Sequence, residues 1–433
     1  MGFEELRTRV RGRVLTPGDA DFEQATTPWN TAVEQRPAAV VEAATVGDVA
    51  AVVRFARDTG GFVVTQPTGH GATGDIAGAI LLRTGQLDSV SIDVEARVAL
   101  VAAGADWGQV QAAAAEHGLT GLAGSNPVVG VTGYTLGGGL GWFGRKYGWA
   151  SNAVRALEIV NADGDPVRVT ADSDPELLWA LCGGGGDFGV VTALEVDLFP
   201  APGLYGGRVV WPGTRTREVW ELFRRLTSQA PDELSVWFHR FRFPQAPEMV
   251  ALDVAYLGDP ARGRALVAAL DGVEGAVSDT RAVMSVADLG DITSEPIAPS
   301  PSISRAELLT DLDDETVRVL LGDTVAPLLN IQVRHLGGAL ALPGAGARGP
   351  LTEPYAVYLL GLGIPELRDQ VTAKQQALVE ALGAHISGSK PYTFLAPGES
   401  AAAAFETETL ERLRVLKRKV DADNVIRANF GVL

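Results

Sequence analysis

The sequence predicts an α+β protein in more than one domain, and three observations carry that prediction. Its 433 residues exceed what a single hydrophobic core usually supports. The first ~200 residues alternate helical and extended periodicities. The chain then breaks at Pro200-Ala201-Pro202-Gly203, a loop signal, and beyond it strand patterns dominate.

The elements of the first part follow in order. Thr45-Val46-Gly47-Asp48 has the character of a capping box, with Asp in place of Glu, and Val49, Val52, Val53 and Ala56 recur at helical spacing until Gly60-Gly61. Phe62 to Thr65 and Ala79 to Leu82 are short apolar runs expected as buried strands, and Arg97 to Ala102 is a third. Trp107 to His117 is expected as a helix closed by Gly118. Ala153 to Val160, the turn Asp163-Gly164 and Val167 to Thr170 form a hairpin pattern. Asp174 caps a helix with Pro175 at its first position, running to Leu181, and Gly189 to Phe199 is a long strand. After the break come Gly207 to Trp211, a helix from Thr214 to Ser228, and strands over Ser235 to Phe241 and Val250 to Leu257. A Pro/Ser-rich surface loop, Ser294 to Ser302, precedes strands at Ile331 to Leu336 and Tyr355 to Leu362. Helices at Pro365 to Leu382 and Leu410 to Val420 follow.

Bulk composition excludes several classes. A net charge of −17 opposes nucleic acid or an anionic membrane as the main partner, because both are bound by basic patches. The single cysteine, Cys182, leaves no disulfide framework and no multi-cysteine metal site, and no metal ligands are expected. Met1-Gly2-Phe3-Glu4-Glu5 places acids where a secretory leader needs bases, and no apolar run reaches the ~18 residues that cross a bilayer. The expected location is cytoplasmic.

Glycine is abundant, at 51 residues, and clusters between residues 118 and 189, where backbone must approach something closely. Gly139-Leu140-Gly141-Trp142-Phe143-Gly144 and Gly184-Gly185-Gly186-Asp187-Phe188-Gly189 both match a dinucleotide fingerprint. That fingerprint requires a preceding strand, a following helix and an acid about 20 residues on. Neither stretch complies: Arg145-Lys146-Tyr147-Gly148 starts a helix poorly, and Val190 to Val196 alternates as a strand. These glycines are expected to line a ligand along loops and strand ends, where bare N–H groups can solvate a pyrophosphate.

The glycine stretches belong to longer motifs. Asn126-Pro127-Val128-Val129-Gly130-Val131-Thr132-Gly133-Tyr134-Thr135-Leu136-Gly137-Gly138-Gly139-Leu140-Gly141-Trp142, then Arg145-Lys146-Tyr147-Gly148, then Leu178-Trp179-Ala180-Leu181-Cys182 running through Gly189 to Thr192, resemble the berberine bridge enzyme-like branch of the vanillyl-alcohol-oxidase flavoproteins. Arg36-Pro37-Ala38, Phe55-Ala56-Arg57 and Thr68-Gly69-His70-Gly71 precede them in the family's order, and Asp423-Asn424-Val425-Ile426-Arg427-Ala428-Asn429 resembles its C-terminal signature. The resemblance spans essentially the whole chain.

It implies an α+β fold with a two-part FAD-binding domain of the PCMH type and an inserted antiparallel-sheet substrate domain. The expected boundaries are 1–205 and 385–433 for the FAD-binding parts and 206–384 for the insert. It implies FAD held by Thr68, Gly69, His70 and Gly71, with the flavin linked to His70. Further contacts fall at Asn126, Gly130, Val131, Thr132, Gly133, Gly138 and Gly141, at Gly185, Gly186, Gly189 and Val191, and at Asn429. The family's second attachment point, a cysteine, is Asn126 here, so one linkage is expected. Val131 occupies the gatekeeper position and resembles members that react with O₂; a valine packed in a strand of the core accounts for it equally well. The family's Tyr-x-Asn is replaced by Tyr392-Thr393, which puts a catalytic role for that tyrosine in doubt.

The expected function is FAD-dependent oxidation of a small organic substrate at an alcohol, amine or related C–H centre, with O₂ as acceptor. The alternatives are a flavin-scaffolded cyclase or isomerase and a binding protein without cofactor. Catalytic candidates are His335, Tyr358 and Arg334, with His239 and Tyr355 behind them. Strand alternation puts Arg334 and His335 on opposite faces, so only one can face the flavin.

Overall fold

The computed structural model describes residues 2–433, and three large β-sheets organise it, beside a two-stranded pairing of Phe199–Pro200 with Leu119–Thr120. The first has the order Arg13–Leu15, Ala39–Glu42, Ile80–Arg83, Val63–Thr65, Ile426–Arg427. Its edge pair is antiparallel and the remaining pairs are parallel. Parallel pairing needs crossovers, and the helix Val46–Asp58 supplies one. Thr45 and Asp48 cap it reciprocally, as the sequence predicts. Its buried face, with Val49, Val52, Val53 and Phe55, packs against Val41 and Ile80 of the first sheet and Val160 and Val190 of the second.

The second sheet is antiparallel throughout, in the order Val90–Asp93, Val98–Ala102, Val190–Asp197, Val154–Val160, Pro166–Thr170. The predicted hairpin is its last pair. The C-terminal tail returns to close the first sheet, with Ile426 opposite Val63. Lys417 at 1 % exposure holds that tail. Its Nζ donates to the Asp187 carbonyl at 2.8 Å, to Asp421 at 2.7 Å and to the Ile426 carbonyl. The Asp187 carboxylate accepts from the N–H groups of Ala428 and Val432, each at 2.7 Å. A buried cation with this many acceptors is tolerable where an unpaired one would not be.

The third sheet is antiparallel, lies between Leu204 and Leu362, and has eight strands. Residues Val236, Phe238, Leu252, Val254, Ile331, Val333, Val357 and Leu359 share one core cluster with Trp220 and Phe223 of the helix Thr216–Thr227. Val371 and Leu378 of the helix Pro365–Leu382 complete that layer. By strand alternation the opposite face carries Arg208, Trp237, His239, Asp253, Gln332, Arg334 and Tyr358, brought side by side by the register. Trp237 on this face stacks on Trp142 of the glycine-rich segment, with centroids 3.6 Å apart. The polar face of the third sheet therefore closes over the first two.

Two local expectations are corrected. Val131 is not a strand valine: it is the first residue of the helix Val131–Leu136, with Gly130 as its N-cap. Gly144 opens a one-turn helix to Tyr147 after all, whereas the second fingerprint runs into a strand as expected. Ser302–Leu309 is a full strand that carries too few turn or periodicity signals to be read alone. The helices Pro260–Leu266 and Asp314–Leu321 were likewise not anticipated, and each begins at an Asp cap. No helix among the described residues is long and apolar enough to cross a membrane.

Candidate active site

Three stretches of bare backbone meet between the first two sheets. Gly130 lies against Pro67 and Thr68, where a Cβ would sit 3.6 Å from the Pro67 ring. The Gly185 N–H donates to the Leu136 carbonyl at 2.9 Å. Asn429 bridges the rest, its amide donating to the Gly71 carbonyl at 2.8 Å and its Oδ1 accepting from Gln66 at 3.2 Å.

The glycines in these stretches divide by what a side chain would meet. At Gly71, Gly130 and Gly186 an added Cβ would meet nothing closer than 3.6 Å, and at Gly133 nothing within 4 Å, so protein does not exclude a side chain at any of them and Gly133 faces open space. Gly141 and Gly189 are glycine because protein fills the space, with Ala123 O at 2.0 Å and Ile159 at 2.7 Å. Gly69, Gly138 and Gly185 have φ of +84°, +103° and +93° and also abut Pro28, Arg348 and Tyr392. Their glycine serves the turn itself. Val191 buries its side chain in the core, Thr132 spends its hydroxyl on the Ala103 carbonyl at 3.0 Å, and only their backbone faces outward.

Polar atoms around this space lack partners, as a site for a polar ligand requires. The N–H groups of Thr132 and Gly133, in the first turn of their helix, have no backbone acceptor, whereas Val131 donates to Ala105 and Tyr134 to Gly130. The N–H groups of Gly69, His70 and Gly71 are equally free, and Gln66 Oε1, Thr135 Oγ1 and His70 Nε2 are buried and unbonded. This donor-rich, glycine-lined cleft fits a dinucleotide bearing a diphosphate.

His70 sits at its centre. Its ring stacks on Trp29 with centroids 4.3 Å apart and planes 17° apart. Thr68 Oγ1 lies 2.8 Å from Nδ1. Burial pushes its pKa down to about 4, so the ring is neutral near pH 7. Trp29 escaped the sequence reading, since only the tertiary fold brings it to the Thr68 carbonyl.

Asn126 takes no part through its side chain, which donates to the Pro296 carbonyl at 2.9 Å and accepts from Val128 N–H at 3.1 Å. Ser125 donates to Glu295 at 3.1 Å, and Trp29 accepts from Ser300 N–H at 3.1 Å. The Pro/Ser-rich loop is thus a strap laid across the cleft.

On the third sheet, alternation is resolved as follows. Arg334 and Tyr358 share the face toward the cleft; the Arg334 guanidinium carbon lies 4.1 Å from the Trp237 ring centroid and 5.1 Å from that of Phe394. His335 is on the other side with Tyr355, and its Nε2 accepts from Arg145 at 3.0 Å. Burial and Arg145 push His335 down to about 3. Beside Arg334, Asp253 at 0 % exposure takes Arg208 in two bonds of 2.5 and 2.8 Å and His239 Nε2 at 2.8 Å. Burial pushes the Asp253 carboxyl up, but His239 and Arg208 outweigh it and hold it below its ordinary value. His239 itself is pushed down by burial. Sequence reasoning missed the Arg208–Asp253 pair, although a lone charge inside each of two apolar strands was a visible signal. Tyr392, displaced from the family pattern, donates to the Phe430 carbonyl at 2.7 Å and packs on Gly185. The ring at the sheet is Phe394, with its centroid 5.7 Å from that of Tyr358.

Residues 37–170 match the family described as FAD binding domain. The chain is similar to (R)-6-hydroxynicotine oxidase of Paenarthrobacter nicotinovorans, 29% identical over 98% of this chain and 97% of that protein. The crystal structure of 6-hydroxy-D-nicotine oxidase from Arthrobacter nicotinovorans superposes with a TM-score of 0.83 at 25% identity, covering 96% of this chain and 97% of that one. Berberine bridge enzyme from Eschscholzia californica, at 18% identity, shares the fold with a TM-score of 0.85 over 99% and 98% of the two chains. With cleft, sheet and sequence in agreement, the chain is an FAD-linked oxidoreductase with the PCMH-type fold of the berberine bridge enzyme-like proteins, and FAD is its cofactor.

Proposed function

We propose that the protein is an FAD-linked oxidase of a small organic molecule, with the flavin joined covalently to His70 and the substrate seated against the Arg334–Tyr358 face. The observation that carries the reading is His70: a half-buried, neutral imidazole whose Nε2 is buried and unbonded, flanked by Gly69 and Gly71. A neutral ring nitrogen is nucleophilic, and a covalent link fixes the cofactor's position. When bound, FAD supplies a two-electron acceptor that takes a hydride from a substrate C–H and returns both electrons to O₂ as H₂O₂.

The remaining parts are the chain's own. The free N–H groups at Gly69–Gly71 and Thr132–Gly133 would receive the diphosphate, and Asn429 holds the Gly71 turn in place. Burial pushes the Tyr358 hydroxyl up, so it stays protonated and serves as a donor to a substrate oxygen or nitrogen, with Arg334 beside it as a fixed cation. His335, on the far face and bonded to Arg145, supports the sheet. The buried Val131 at the start of its helix is compatible with O₂ reaching the flavin side. The strap from Ser294 to Ser300 and the Trp142–Trp237 stack exclude bulk water.

The test needs no substrate. The purified holoenzyme should show a flavin band near ~450 nm that stays with acid-precipitated protein, and His70→Ala should release its colour. After anaerobic photoreduction, mixing with air should reoxidise the enzyme and yield H₂O₂, with Val131→Leu slower by about tenfold. Colour freed from the wild type would remove the covalent assignment, and a reduced enzyme inert to air would remove the oxidase assignment.

A further inference from the structure

We infer that the substrate of this site is an anion, a small carboxylate whose charge is received by the Arg334 guanidinium inside a frame of aromatic rings. The inference rests on the reading of this sheet face as the substrate side and adds to it the chemical class of the molecule bound.

Four arginines are buried among the described residues: Arg145, Arg240, Arg334 and Arg348, at 6, 5, 7 and 8 % exposure. The first, second and fourth have their terminal nitrogens bonded. Arg145 donates to the Leu336, Ala230 and Pro231 carbonyls. Arg240 donates to Glu248 and to the Leu320 and Asp323 carbonyls. Arg348 donates to the Ala404 and Lys390 carbonyls. Arg334 differs. Its Nε donates to Gln332 Oε1 at 2.5 Å, its two terminal nitrogens have no acceptor, and no carboxylate lies within 4.0 Å.

A guanidinium in this position is costly to bury unpaired. The rings do not remove that cost. Trp237, Phe394 and Tyr358, with centroids 4.1, 5.1 and 5.6 Å from the guanidinium carbon, contribute cation–π attraction but accept no hydrogen bonds in the guanidinium plane. Of the carboxylates nearby, Asp253 is shared by Arg208 and His239. Glu295 on the strap attracts Arg334 across more than 4.0 Å but makes no bond to it, accepting instead from Ser125.

What is left is a planar fork of four N–H donors, held at its root by Gln332 and framed by Trp237, Phe394 and Tyr358. A carboxylate matches that fork with two parallel bonds, which a neutral amide or a lone hydroxyl cannot do. The flanking aromatic rings suit a flat, apolar body attached to that carboxylate. The C–H to be oxidised then lies on the part of the molecule away from the charge, and the fork fixes which end faces the cofactor.

Calorimetric titration of the holoenzyme with propionate, benzoate and indole-3-carboxylate, each beside its uncharged amide, tests the inference. At least one acid should bind about tenfold or more tighter than its amide, as charge-assisted pairs require. Arg334→Met and Arg334→Gln should abolish that preference, and Arg334→Lys should restore part of it. Retained flavin colour and an unchanged melting temperature identify variants that have folded. If no acid is preferred over its amide, or if the preference survives in Arg334→Met, the inference is overturned. Calorimetry does not depend on flavin colour, so a protein without the visible band would contradict the oxidase reading and leave this result to be read on its own.

Discussion

The two faces of the third sheet come from the same strands, yet they are held by different physics. Val236, Phe238, Val333 and Val357 turn toward the helices and sit in a layer with Trp220 and Phe223 at or near zero exposure. One residue along each strand, Trp237, His239, Arg334 and Tyr358 face the glycine-lined cleft and form a polar, partly unsatisfied surface. Removing apolar area from water stabilises the first face without regard to direction. The second is directional, and its charges are tolerable only in pairs or with a ligand. Stability therefore comes from undirected burial on one side of the sheet and from paired charges on the other, and selectivity belongs to the second.

The sharpest way to break this contrast is to remove the one ion that the polar face cannot do without. Asp253→Ala leaves Arg208 and His239 without their shared carboxylate, and a stranded buried charge costs about 3–5 kcal/mol. The urea midpoint should fall accordingly, and a midpoint within error of wild type would show that the polar face contributes nothing to stability. On the apolar face, Phe238→Leu should cost about 1–2 kcal/mol of stability while leaving flavin content and carboxylate preference unchanged. If ligand binding changed and stability did not, the division between faces would be wrong.

The glycines give a matched pair. Gly141→Ala forces a Cβ to 2.0 Å from the Ala123 carbonyl and should lower stability by about 1–3 kcal/mol, as overpacking does. Gly133→Ala has nothing within 4 Å to meet, so apoprotein stability should hold while the flavin incorporated per chain in the purified protein falls, read from the ratio of flavin to protein absorbance. Equal behaviour of the two would remove the distinction between glycines that admit protein and glycines that admit cofactor.

The last expected effect is on pH dependence. His335 is depressed from 6.5 to about 3, so between those values the unfolded chain binds a proton that the folded chain does not. Stability is complete above the unfolded pKa and declines as pH falls toward 3. His335→Gln should flatten that slope in thermal melts between about pH 6.5 and pH 4. An unchanged slope would assign the acid sensitivity to other groups.

Much of the fold was legible because its signals are local. Thr45 and Asp48, Asp174 and Pro175, and the Asp163-Gly164 turn act through neighbours in sequence, and the corresponding helices and hairpin are present. Val131 failed for the same reason in reverse: a six-residue helix started by Gly130 has too little periodicity to announce itself. The site was half legible. His70 and its flanking glycines were marked by motif, but Trp29, the strap at Glu295 and the Arg208–Asp253 pair meet across separations that no local pattern records.

By itself the sequence determined the class of fold and the alternation that sorts each strand into two faces, because capping and periodicity are properties of adjacent residues, and its motifs led to FAD through their resemblance to a known family. Tertiary structure alone decided which face meets the cleft, which glycines open onto space, and that Arg334, of four buried arginines, keeps its terminal nitrogens free. Those are matters of what packs opposite, and in a chain folded back on itself the opposing atoms come from residues hundreds of positions away.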